Sequence, residues 1–166
     1  MKSIVLLLSF LAVAWCTPKG LHGELHQNNT NGPEIEKTMT YGTAITHYVS
    51  TPMAFTDAEM YCRRHGTNGH LVSIHDAKLN KLVLHLVKHT RGKSPHSTWI
   101  GGMRFLKTEN FIWTDGSKWD YNSWLPGEPN NLQQKELCSE MYTADYKPGL
   151  WNDADCTKKN PFVCFY

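Results

Sequence analysis

The chain has 166 residues, 40% of them hydrophobic and 11% aromatic, with 17 basic against 15 acidic residues and a formal net charge of +2. That length and composition suit one domain with an ordinary buried core. The near balance of charge, with no run of like sign, argues against a nucleic-acid or anionic-membrane surface.

Met1-Lys2-Ser3 followed by the apolar run from Ile4 to Ala14 reads as a secretory signal peptide, residues 1–16, with cleavage after Cys16 or after Ala14. No later stretch approaches the roughly 20 apolar residues of a transmembrane helix, so a secreted, extracellular protein without a membrane span is expected. Cys62, Cys138, Cys156 and Cys164 remain after either cleavage, an even set that predicts two disulfides in an oxidising compartment. A retained Cys16 could join two chains into a homo-oligomer.

Residues 17–40 hold Pro18, Gly20, Gly23, Gly32 and Pro33 among Asn and His, and read as a flexible N-terminal tail. Asn28-Asn29-Thr30 is an N-glycosylation acceptor sequence within it. The domain proper is expected over residues 41–166, opening with a strand from Tyr41 to Val49. Thr56-Asp57-Ala58-Glu59 predicts a capping box that opens a helix through about Arg64. Leu79, Leu82, Val83, Leu86 and Val87 fall at i, i+3, i+4, i+7 and i+8, one buried face of a second helix starting near Asp76 and stopping at Gly92. Short strands are expected at residues 98–102, 111–113, 137–141, 150–152 and 162–166. Two helices and several short strands indicate an α+β fold. The polar stretch from Trp119 to Glu136, with Gly127 and two prolines, reads as an ordered functional loop.

Glu128-Pro129-Asn130 lies in that loop, Glu136 stands two positions before Cys138, and Trp151-Asn152-Asp153 ends three positions before Cys156. Glu128, Asn130, Glu136, Asn152 and Asp153 supply three carboxylates and two amide carbonyls. All are hard oxygen donors, which suit Ca²⁺ with its 6–8 oxygens better than Mg²⁺ or Zn²⁺. A Cys138–Cys156 disulfide would hold the two halves of such a site together, an attractive pairing that position alone does not prove. Cys62–Cys164 would then tie the first helix to the last strand. A cis bond at Glu128-Pro129 would let both flanking side chains face one ion.

Trp99-Ile100-Gly101-Gly102, Glu128-Pro129-Asn130, Glu136, Cys138, Trp151-Asn152-Asp153, Cys156 and Cys164, in this order and spacing, resemble the C-type lectin domain over residues 41–166. Among its subgroups, the chain is similar to short-form, single-domain secreted lectins of fish. The resemblance implies that all five oxygen-bearing residues bind one calcium, Asp153 with its backbone carbonyl as well. Two neighbouring sugar hydroxyls would complete the shell, hydrogen-bonded to the same five side chains, with Leu132 and Ala154 beside the sugar. Glu-Pro-Asn resembles the mannose-type arrangement, which takes vicinal equatorial hydroxyls on glycoproteins or microbial surfaces. An innate-immune role is a family-level expectation. Arg104, Asn131 and Leu137 stand where some members carry ligands of a second calcium, which is therefore expected to be absent or weak.

Taken singly, Glu128-Pro129-Asn130 is an ordinary turn and Glu136 and Asp153 are ordinary solvated charges. Their joint placement beside two cysteines and Trp151 is what points to a metal. His85 and His89 lack a third ligand and read as a solvated helix face. Trp151 reads as a packing anchor. No nucleophile or paired acid-base motif is present, so no enzyme is expected. The rival reading is a protein- or ice-binding member of the same scaffold.

Overall fold

The computed structural model describes residues 35–89, 95–106 and 108–166. The leader, Cys16, Asn28 and Gly92 lie outside these residues.

Strands β1 (Ile35–Tyr41) and β2 (Ala44–Met53) form a hairpin, and helix α1 (Phe55–His65) follows. A two-residue strand β3 (His70–Leu71), helix α2 (Ala77–Lys88) and strands β4 (Ser97–Arg104) and β5 (Phe111–Trp113) come next. After a long loop come β6 (Glu136–Tyr142), β7 (Trp151–Asp155) and β8 (Asn160–Phe165). The sheet order is β1-β2-β8-β4-β6-β7, with β3 added to β8 and β5 to β4. The architecture is α+β, as the sequence predicts.

Three local expectations are corrected. Residues 35–40, placed in the tail, form most of β1, and Met39 and Tyr41 pack on the core while Thr46 of β2 donates to the Met39 carbonyl. The capping box at Thr56 and Glu59 does not form: α1 begins after Ala54 with no side-chain cap. Glu59 instead accepts from Arg63 Nε at 2.7 Å and the Leu71 N–H at 2.9 Å, and meets His70 Nδ1 at 2.8 Å. A charged and multiply bonded cluster outcompetes a lone backbone N–H for the same carboxylate. Helix α2 ends at Lys88, before Gly92. Its start matches the prediction, for Asp76 is the N-cap and accepts from the Leu79 N–H at 2.7 Å.

Alternation along the central strands sorts side chains into two cores. Val163 and Ile100 join α2 residues Leu79, Val83, Leu86 and Val87, together with Trp113, Met141 and Trp151. Phe162, Cys164 and Trp99 join α1 residues Phe55, Ala58, Tyr61 and Cys62. Both expected disulfides are present, Cys62–Cys164 from α1 to β8 and Cys138–Cys156 from β6 to the end of β7. The first closes a sequence separation of 102 residues.

Candidate metal centre

The five oxygen-bearing residues lie on the long loop, at the start of β6 and on β7. Strand pairing puts Glu140 opposite Asn152 and Ser139 opposite Asp153, with an irregularity between Glu136 and Cys138 just where the loop joins β6. The loop is stitched to β7 by its backbone: Trp151 N–H donates to Ser123 O at 2.8 Å and Leu125 N–H to Trp151 O at 2.9 Å. Trp151 is fully buried and bonds Asn80 through its indole N–H at 2.8 Å. Its ring packs edge-on against three rings of the loop, Trp119, Tyr121 and Trp124, at 5.7–5.9 Å between centroids. The packing anchor expected from the sequence is therefore the pin that fixes the loop over β7.

The turn itself hangs on one carboxylate. Glu128-Pro129 is a cis peptide, and the two residues after it direct their backbone N–H groups at Asp153: Asn130 to Oδ1 at 2.9 Å and Asn131 to Oδ2 at 2.8 Å. Arg104 Nη2 donates to the same Oδ2 at 2.7 Å, and both partners of this ion pair are fully buried. Asn130 N–H is shared with Glu128 Oε2 at 3.1 Å. Asn131 takes a left-handed conformation, φ 48°, and its side-chain carbonyl accepts from the Glu136 N–H at 3.2 Å. Glu136 returns the contact by accepting from the Leu132 N–H at 2.9 Å through Oε2.

Asn152 is buried, and its amide nitrogen donates to Glu140 Oε1 at 3.2 Å. Glu140, 1% exposed, also accepts from Ser97 at 2.8 Å, Asn160 at 2.7 Å and Lys158 at 2.8 Å. This network holds the nitrogen end of the Asn152 amide and leaves its oxygen end for a ligand. Sequence reasoning missed Glu140; its signal was a glutamate inside the predicted strand at 137–141.

Burial, then the charges of Asp153 and Glu136, push the Glu128 carboxyl above the ordinary glutamate range. Glu136 is raised likewise, by burial and by repulsion from Asp153 and Glu140. Burial and then Glu140 and Glu128 push the Tyr142 hydroxyl up to about 12. Burial and mutual repulsion thus disfavour the charged forms of Glu128 and Glu136 in the metal-free site. Among the described residues no three Asp, Glu, His or Cys side chains close into a metal cage by themselves. Asp153 and Glu136 are partly occupied by backbone N–H groups, and the amide oxygens of Asn130 and Asn152 would be needed as well. A donor set of carboxylates and amides whose carboxylates repel one another fits a hard divalent cation such as calcium.

Of the remaining expectations, Leu132 is 61% exposed beside the loop, whereas Ala154 is buried opposite Cys138 and offers no surface to a ligand. His85 and His89 are exposed and stacked at 4.0 Å. Ser73, His75 and Asp120 line up at 3.2 and 2.8 Å, an order reminiscent of a nucleophilic relay. Ser73 is buried and donates to Asp115 at 2.5 Å, so its hydroxyl is a structural tie at the loop's entrance.

The sequence pattern of the family described as "Lectin C-type domain" matches residues 51–166. A galactose-specific lectin, nattectin, from Thalassophryne nattereri is 36% identical over 112 residues, covering 68% of this chain and 67% of its own. Human lithostathine superposes with a TM-score of 0.72 at 27% identity, covering 79% of this chain and 97% of that one. A calcium-independent type II antifreeze protein superposes with a TM-score of 0.67 at 27% identity, covering 78% and 90%.

Proposed function

The chain belongs to the C-type lectin domain family, a family of non-enzymatic binders, and from that premise we propose that it is a secreted, calcium-dependent lectin for mannose-type sugars. The observation that supports this best is the convergence of Glu128, Asn130, Glu136 and Asp153, on one turn and two paired strands, where burial and mutual repulsion disfavour the charged carboxylates without a cation. Glu128, Asn130, Glu136, Asn152 and Asp153 would hold the ion. Calcium supplies a Lewis-acidic point at which two vicinal hydroxyls can be held. The chain's own part is to orient those hydroxyls: carboxylates accept from them and the amide N–H groups donate to them. Leu132 would add apolar contact at the rim.

Mannose-type selectivity rests on the acid-then-amide order of Glu128 and Asn130. The galactose-specific relative sets the alternative sugar, and the calcium-independent antifreeze neighbour sets the alternative without sugar. Two disulfides fit an oxidising, extracellular location, and no described helix is long and apolar enough to cross a membrane. Retention on immobilised mannose in calcium, with release by chelator, is expected. Retention on galactose alone would reassign the sugar, and retention on neither would favour the non-sugar reading.

A further inference from the structure

We propose that Arg104 is the positioning residue of the calcium turn, a buried guanidinium that holds Asp153, and through it the backbone at Asn130 and Asn131, in the binding arrangement before any metal arrives. The proposal rests on the calcium-site reading above.

Arg104 ends β4, and its side chain is completely buried. Its Nη1 donates to Glu109 Oε2 at 2.9 Å and to Thr108 O at 3.3 Å, and the guanidinium lies 4.9 Å from the Phe111 ring centroid. Those contacts aim Nη2 at Asp153 Oδ2. Arg104 Nε is buried with no hydrogen-bond partner, so the position is not optimised for the arginine's own solvation. Burying such a pair gains little if stability alone is wanted, since apolar side chains of similar volume do as well.

The atoms around Asp153 suggest what the pair does. Oδ2 accepts from both Arg104 and Asn131, which uses its two lone pairs. Oδ1 accepts one backbone hydrogen bond, from Asn130, and keeps its second lone pair on the side of Glu128 for a cation. A guanidinium stays protonated, so Asp153 keeps a counter-charge with or without calcium. The turn can then remain docked on Asp153 in the metal-free protein, and calcium need not order it on binding.

The test compares the wild type with Arg104→Gln, Arg104→Lys and Glu109→Gln by trypsin cleavage at Lys135 in chelator and by calcium calorimetry. Arg104→Gln should be cut ~10-fold faster and bind calcium ~10-fold more weakly, with Arg104→Lys recovering part of both. Glu109→Gln alters an exposed carboxylate where folding is not in question, and should speed cleavage about 2-fold. Unchanged cleavage in Glu109→Gln and Arg104→Gln, or tighter calcium binding in Arg104→Gln, would overturn the proposal; the latter would mean that arginine competes with the metal. If the wild type itself binds no calcium, the calcium reading fails, while cleavage in chelator still decides whether Arg104 orders the turn.

Discussion

The half of the molecule around β2, β8 and the two helices is held chiefly by apolar burial, whereas the half formed by the long loop, β6 and β7 adds to its Trp151 pin a set of polar contacts to a few buried charges. In the first, Leu79, Val83, Phe162 and Val163 are buried and a disulfide joins α1 to β8. In the second, Asp153 and Glu140 are buried, Asp153 against Arg104 from the end of β4, and backbone N–H groups of the loop are directed at carboxylates. Hydrophobic burial is non-directional and tolerates repacking, while a ligand set needs fixed directions. The domain therefore separates what keeps it folded from what shapes the candidate site.

The sharpest way to break that division is through the disulfides. Replacing Cys62 and Cys164 together by alanine removes the cross-link over the longer separation, and should lower stability in denaturant titration by about 2–5 kcal/mol. Calcium affinity of the fraction still folded should hardly change. Glu136→Gln should do the reverse, weakening calcium binding by ~100-fold in calorimetry. Its effect on the melting temperature in chelator should be small and upward, because it removes a carboxylate crowded by Asp153 and Glu140.

The pH dependence follows the same carboxylates. Glu128 and Glu136 have raised pKa values in the metal-free fold, so their contribution to metal-free stability is present at low pH and lost as pH rises through those values. Calcium needs both deprotonated, so its affinity should fall on acidification, starting above the ordinary glutamate range. Calcium titrations across pH check this; a flat profile would exclude both residues as ligands. The smallest expected effect is that of Asp76→Ala, which removes the α2 cap and the bond from Tyr41 at 2.7 Å and should lower the melting temperature slightly with no change in calcium affinity.

Much of the scaffold was legible because its signals are local. The α2 stripe and Asp76 specify a helix and its start, and Phe111–Trp113 stands out as a short strand. Residues 35–40 look like tail because β1 gains its partner only from the hairpin with β2. Glu59 misleads because two of its three partners, His70 and Leu71, lie 11 and 12 positions away, beyond its own helix. The candidate ligand residues were legible as a pattern, yet the groups that hold them were not. Arg104 reads as a departure from a second metal site, and only the fold reveals it 49 positions away on Asp153. Glu140 similarly reads as one charge in a strand until Asn152, Lys158 and Asn160 surround it.

The most direct test is calorimetric titration of calcium into chelator-treated protein, beside Glu128→Gln and Asn152→Asp variants with intact folds. One site per chain, weakened strongly by Glu128→Gln and altered by Asn152→Asp, is the predicted result. Absence of binding in the wild type, or binding indifferent to both substitutions, would contradict the assignment of this loop and β7 as a calcium centre.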